Sequence, residues 1–301
     1  MVQSMVAKLQ YQLTSPDLEV LLALVRGGTL DAASGRLGVD SSTVFRAIQR
    51  IEKGLGQRLF ERKRSGYLPY ELVQTLVEHA ERIETELESA RSATQQISGD
   101  VSGIVRITTT NSILHGLIVP CLKQLSASHP MLDFELHTGS VSANLSRHDA
   151  DIAVRATKHP PQHLAGKHVG TIRLAMYTGT NCAVKSVSDA MKQTAPWIEP
   201  DDASPNHPSI RWRMRHLPKV VPKYRVNDFL AVMSMIELGF GVGILPVFLA
   251  EGHKGLVRIT DALDECQNEL WVLTHPESRH LRRIATVFSH LSKNLNLDRY
   301  V

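Results

Sequence analysis

The sequence predicts a mixed α/β protein in three parts: a small N-terminal helix-turn-helix with a β-hairpin wing, a long linker helix, and a larger C-terminal half built on parallel strands. Three observations predict it. Glycines divide residues 18–68 into short helices; apolar residues from Val73 to Ile97 keep an unbroken 3,4 spacing; and after Ser98-Gly99-Asp100 short apolar strands alternate with helices. The chain has 301 residues, 43% hydrophobic and 21% charged, which suits ordinary globular protein of roughly two domains. Cys121, Cys182 and Cys266 lie 61 and 84 residues apart, too sparse for a zinc knuckle and odd in number for a disulfide framework. The first residues lack a basic stretch followed by an apolar one, and no apolar run approaches the roughly 20 residues of a membrane span. A cytoplasmic protein without membrane contact is the expectation.

The head comes first. Gly27 and Gly28 close an apolar helix, Thr29 caps a short second helix ending at Gly38, and Asp40, Ser41 or Ser42 caps a third that runs to about Gly54. Two helices joined by a short glycine-containing turn are the helix-turn-helix signature. On the third helix Val44, Ile48 and Ile51 recur at core spacing, so Ser42, Phe45, Arg46 and Gln49 project outward, where hydroxyls and an arginine can reach base edges in a major groove. Leu59-Phe60 and the ERKRSGYL that follows read as a hairpin whose tip carries Arg62, Lys63 and Arg64.

Charge supports this division. The net +4 of the whole chain separates into +4 over residues 1–70, −4 over 71–95 and +4 over 96–301, and residues 41–70 alone carry seven Lys/Arg against Glu52 and Glu61. A basic excess on a helix and a hairpin suits a polyanionic partner.

The run from Leu18 to Leu68, with Ala32-Ala33, Leu37-Gly38-Val39, Ile51-Glu52, Leu55-Gly56 and Arg58-Leu59-Phe60-Glu61-Arg62, resembles the winged helix-turn-helix of LysR-type transcriptional regulators. Ser41-Ser42 stands where a glutamine-proline pair often opens the family's recognition helix, Phe45 where a serine is common, and Pro69-Tyr70-Glu71-Leu72 where Thr-x-x-Gly is usual. These departures bear on the operator rather than the fold, and place Phe45 to meet a thymine methyl. The resemblance implies phosphate contacts from Thr29, Arg50, Arg62 and Arg64 and base contacts from Ser42, Thr43, Phe45 and Arg46, with Ser41 at the same helix start.

Val73, Leu76, Ala80, Ile83, Leu87, Ala90, Thr94 and Ile97 form a 3.5-residue repeat flanked by acids. Two readings are open: a helix packed on its own chain, or a seam that pairs two subunits. The resemblance favours the second, with Val73, Leu76, Ala80, Ile83 and Leu87 as dimer contacts. The corresponding division is residues 1–69 for the head, 70–98 for the linker and 99–301 for the remainder.

That remainder opens as βαβαβ: GIVRITTT, HGLIVPCLKQLSASHP, MLDFELHT, VSANLSRH, ADIAVRAT. A second unit follows with HVGTIRLAMYT, APWIEP, KYRVND, FLAVMSMIELG and FGVGILPVFLA, before a last strand, ELWVLTHP, and a helix from His280 to about Asn294. This order, with Asp151-Ile152-Ala153-Val154-Arg155 and Glu237 to Pro246, resembles the family's effector domain, a periplasmic-binding-protein-like pair of α/β lobes crossed twice by the chain. It implies one lobe over about 101–161 with 269–301 and another over about 162–268. A small-molecule effector would then meet Thr109, Thr110, Asn111 and Ser112 from the first lobe and Asn227, Asp228 and Phe229 from the second, with Thr138 and Gly139 at the cleft edge.

Other motifs resolve to bland roles. Gly239-Phe240-Gly241-Val242-Gly243 follows a helix rather than a strand, so it is a tight turn beside the cleft instead of a nucleotide cradle. The basic residues Arg211, Arg213, Arg215, Lys219, Lys223 and Arg225 read as a solvated loop. No helical histidine pair suggests a metal, no nucleophile-base set suggests an enzyme, and no cofactor is expected. The sequence thus predicts a homodimeric or homotetrameric regulator that binds double-stranded operator DNA and a small-molecule effector, and RNA polymerase if it activates. The alternative is an architectural DNA-binding protein whose C-terminal half is a ligand-free oligomerisation platform.

Overall fold

The computed structural model describes residues 11–64, 66–95, 101–139, 150–201, 207–295, 297–298 and 300, and divides into two compact units, Met1–Ile97 and Ser98–Val301. Among the described residues no helix is long and apolar enough to cross a membrane.

The first unit holds α1 (Ser15–Gly27), α2 (Leu30–Leu37) and α3 (Ser41–Leu55), the antiparallel hairpin β1 (Phe60–Lys63) and β2 (Gly66–Pro69), and α4 (Glu71–Gln95). Thr14 opens α1 through a reciprocal capping box with Asp17, and Thr29 opens α2 by accepting the amide of Ala32 at 3.2 Å. Leu21, Leu24, Ala33, Val44, Ile48, Ile51 and Leu59 are sealed in one core. The hairpin is docked on the turn between α1 and α2. Tyr67 N donates to Gly28 O at 2.8 Å, and at Gly66, whose φ is +128°, a side chain would drive its Cβ to 2.3 Å from that same oxygen.

α4 corrects the expectation for the apolar repeat. Val73, Val77 and Ala80 are buried in the core of the head and Leu76 packs against it, while Arg26 of α1 pairs with Glu84 at 2.9 Å. The first turns of α4 therefore follow the reading of a helix packed on its own chain, because α1 offers them an apolar face. Ile83 and Leu87, one and two turns beyond Ala80, stay 37% and 44% exposed. Ile97 and the side chain of Thr94 lie outside the described residues.

The second unit contains two lobes. In the first, β3 (Gly103–Thr109) lies parallel to both β4 (Leu132–Thr138) and β5 (Ile152–Ala156); β6 (Ala165–Ile172) and β12 (Asn268–Thr274) complete a sheet ordered β4-β3-β5-β12-β6, with β12 antiparallel to its neighbours. Between β3 and β4 come α5 (Asn111–Ile113), a π-turn over Leu114–Ile118 and α6 (Val119–Ser128). The expected helix VSANLSRH falls in residues 140–149, outside the described part.

The second lobe is built on β7 (Leu174–Gly179), antiparallel to β10 (Val242–Pro246) on one side and to β11 (Leu256–Arg258) on the other. The short parallel pair β8 (Ile198–Pro200) and β9 (Tyr224–Val226), α7 (Val187–Ala190), α8 (Pro208–His216), α9 (Phe229–Glu237) and α10 (Val247–Ala250) surround it. The chain returns through β12, and α11 (Arg282–Asn294) packs on the first lobe.

Three expectations change here. HVGTIRLAMYT is not one strand: it breaks at Arg173 into β6 and β7, which belong to different sheets, so the strand assigned to the second lobe is built into the first. The basic stretch is not a loop throughout. Arg211, Arg213 and Arg215 lie on α8, and Arg213 is buried in a bidentate pair with Glu199, both contacts at 3.0 Å. The glycine-rich turn is at the far end of α9 from the cleft, where a Cβ on Gly241 would strike Pro196 O; glycine there lets β10 come close to the chain entering β8.

Candidate nucleic-acid interface and ligand cleft

The outer face of α3 follows from its inner one. Val44, Ile48 and Ile51 face the core at 0–1% exposure, which turns Ser42, Thr43, Arg46 and Gln49 to solvent. Ser41 is half-buried at the helix start. Phe45 is half-buried too, because the Arg62 guanidinium of the wing lies 4.9 Å from its ring centroid and 5.7 Å from that of Tyr67. Arg62 thus joins the helix to the wing as a fixed cation. Arg64 is exposed at the hairpin turn, while Lys63 pairs with Glu61 at 3.2 Å.

Arg50 is tethered instead of free. Its Nη2 donates to Asp17 Oδ1 at 2.5 Å. Asp17 Oδ2 also accepts from Tyr11 OH at 2.9 Å and from the backbone and hydroxyl of Thr14 at 3.0 and 2.8 Å. Burial by itself would raise the Asp17 carboxyl; these donors outweigh it and hold the group below the usual carboxylate range. Sequence reasoning overlooked Asp17; Thr14-x-x-Asp17 ahead of an apolar run is the capping signature that could have found it.

Between the lobes of the second unit lies a cavity of about 310 Å³. Eight expected residues line it: Thr110, Asn111, Ser112, Thr138, Gly139, Asn227, Asp228 and Phe229. Thr109 does not. Its side chain turns inward, 1% exposed, and its hydroxyl donates to Val154 O at 2.9 Å, because alternate residues of a strand face opposite sides. Asp228 caps α9 by accepting the amide of Ala231 at 2.9 Å, and its other oxygen accepts from Asn111 Nδ2, also at 2.9 Å. That second bond ties the two lobes across the cleft.

Sequence reasoning overlooked several lining residues, among them Arg155, His207, Phe248 and Asn268. Arg155 ends β5. Its Nη1 donates to Gly139 O and its Nη2 to Thr108 Oγ1 at 2.8 Å, and burial pulls its pKa down. Asp151 to Arg155 was noticed as a segment, but nothing local shows that the arginine points into a cavity. His207 caps α8 and lies 4.7 Å from the ring of Phe229; burial pushes it down to about 4, so it is neutral at physiological pH. A lone histidine beside a proline carries no sequence signal of such a role.

Comparison with known proteins gives this arrangement a lineage. Residues 16–72 match the family described as bacterial regulatory helix-turn-helix protein, lysR family, and residues 98–296 match the LysR substrate binding domain. The chain is 24% identical over 268 residues to the Mau operon transcriptional activator of Paracoccus denitrificans, covering 88% of this chain and 90% of that protein. It is 30% identical over 161 residues to an HTH-type transcriptional regulator of Xanthomonas campestris, a match that spans 47% of that relative and 54% of this chain. In fold it resembles full-length OxyR from Pseudomonas aeruginosa, solved as a cysteine-to-aspartate variant, with a TM-score of 0.67 at 14% identity and 95% and 98% of the two chains covered. CrgA, a LysR-type regulator from Neisseria meningitidis, superposes with a TM-score of 0.55 at 17% identity, covering 94% and 99%. A winged head, a long helix and a two-lobed domain with a lined cleft, matched by family over both halves, make this chain a member of the LysR family of DNA-binding transcriptional regulators, with an effector-binding domain and no enzymatic role.

Proposed function

We propose that the protein reads a two-fold-related operator in double-stranded DNA as a homodimer or homotetramer, working in the cytoplasm, and that a small molecule in the cleft shifts its action at the promoter. In this reading Ser42, Thr43, Phe45 and Arg46, with Ser41 at the helix start, meet base edges, while Thr29, Arg62 and Arg64 meet phosphates. Arg50 has further N–H donors for a phosphate beyond the one that holds Asp17. Ile83 and Leu87 pair with a second copy, and RNA polymerase is a further partner if the regulator activates.

The observation that carries the DNA reading is the outward face of α3, polar and cationic over a sealed apolar back and flanked by the cationic wing. Fluorescence anisotropy on DNA from the protein's own promoter region tests it. Affinity is expected to fall by about 0.9 log units per log unit of salt for each phosphate neutralised. Arg46→Ala is expected to weaken specific binding by roughly tenfold or more while sparing non-specific binding. Equal losses on operator and random DNA would remove Arg46 from base readout. Ile83→Glu with Leu87→Glu is expected to shift the chain toward monomer in analytical ultracentrifugation.

A further inference from the structure

Among the described residues, the cleft wall carries one cation, Arg155, that no carboxylate meets. Arg155 has five N–H donors, and the partners it meets are Gly139 O and Thr108 Oγ1, both neutral. Among the described residues no carboxylate pairs with it, although a guanidinium partly withdrawn from water is ordinarily matched by one. Among the described residues the other charged group on the cavity wall is Asp228, whose two oxygens are already taken by Ala231 N and Asn111 Nδ2. The rest of the lining divides into small polar groups and an apolar surface of Ile172, Leu174, Pro246, Phe229 and Phe248.

From this arrangement, and resting on the reading of the cleft as the effector site, we propose that the effector is a compact organic monocarboxylate whose carboxylate pairs with Arg155 and whose hydrocarbon body lies against Phe229, Phe248 and Leu174. One unmatched cation calls for one negative charge. Asp228 on the opposing wall disfavours a second, and a cavity of about 310 Å³ admits only a small body. The guanidinium fork presents its unused donors to a planar carboxylate better than to a neutral amide, because charge-assisted hydrogen bonds are about twice as strong as neutral ones.

The test uses the full chain and matched probes: benzoate and hexanoate against benzamide and hexanamide, with phenyl phosphate as a dianionic control, read by calorimetric titration and thermal shift. The acids are expected to bind at least about tenfold tighter than their amides. Arg155→Gln is expected to bring acid and amide to equal affinity. Should that variant not fold, since Arg155 also holds Gly139 and Thr108, Arg155→Lys keeps a cation and is expected to retain the preference at lower affinity. Ala156→Trp, at an exposed position on the cavity wall, is expected to abolish binding of every probe by filling the cleft. Acids and amides of equal affinity, both lost in Ala156→Trp, overturn the carboxylate assignment and leave the cleft reading standing. Probe binding that survives Ala156→Trp overturns both. Phenyl phosphate tighter than benzoate, or no binding by either acid, overturns the inference.

Discussion

An arginine in the head and an arginine in the effector domain show how differently the two units are built. Arg50 lies against a carboxylate that also accepts from Tyr11 and Thr14, so this arginine finds its counter-charge within the head. Arg155 is held by neutral oxygens and faces a cavity, and among the described residues it meets no carboxylate. The same contrast runs through the rest of each unit. In the head the side chains proposed to meet DNA lie mainly on the surface of one helix and one hairpin, with a continuous core behind them. In the effector domain they come from segments more than a hundred residues apart, as the Asn111–Asp228 bond illustrates. A surface that reads a long polymer must be outward and rigid; a receptor for a small molecule must leave polar groups unfinished at a hinge.

If the units are energetically separate, damage to one core should leave the other intact. Ile48→Ala, which empties a fully buried site in the head, is expected to cost about 2–5 kcal/mol there and to lower only one of two transitions in differential scanning calorimetry. A single transition that moves as a whole would break the comparison.

Acid should separate the units as well. His207 is held neutral, with a folded pKa of about 4 against an ordinary 6.5, so the unfolded chain binds more protons between those values and stability falls as pH drops through that window. The effector domain is expected to lose roughly 3 kcal/mol from this group between pH 6.5 and 4, and His207→Asn to flatten that slope. For Asp17 the sign is the same and the window lies lower. Its folded pKa is depressed, so its contribution is present above the ordinary value of 3.8 and is lost only as pH falls below it. The head should therefore outlast the effector domain on acidification, as followed by circular dichroism of each transition. Asp17→Asn gives the smallest of the three effects, about 1–3 kcal/mol at neutral pH, since Arg50 is 62% exposed and water replaces part of what it loses.

Most of the head was legible because its information is local. Thr29 and the glycines mark where helices begin and end, and the spacing of Val44, Ile48 and Ile51 fixes which side of α3 faces out, so Arg46 could be assigned from the chain alone. The linker was legible as a helix but not in its partners. The same 3.5 repeat serves α1 at Val73 and Ala80 and leaves Ile83 and Leu87 uncovered, and periodicity does not say where one surface gives way to the other.

In the effector domain the alternation of strands and helices follows from apolar periodicity, and the strand-end residues of the cleft could be named by resemblance. Thr109 was misplaced because a one-residue step along a strand reverses the side chain, and the point where β3 ends is set by its pairing. The break at Arg173 is likewise invisible in an unbroken run of strand-forming residues, since it exists only because β6 finds β12 and β7 finds β10. The sequence by itself determined the helix-turn-helix, the orientation of its reading face, the three-part charge pattern and the α/β alternation, all of which depend on neighbours within a few residues. Tertiary structure alone decided that Arg62 braces Phe45, that Arg213 is buried against Glu199 and that Arg155 faces a cleft held by neutral oxygens. Each of those depends on which distant segment the chain brings alongside.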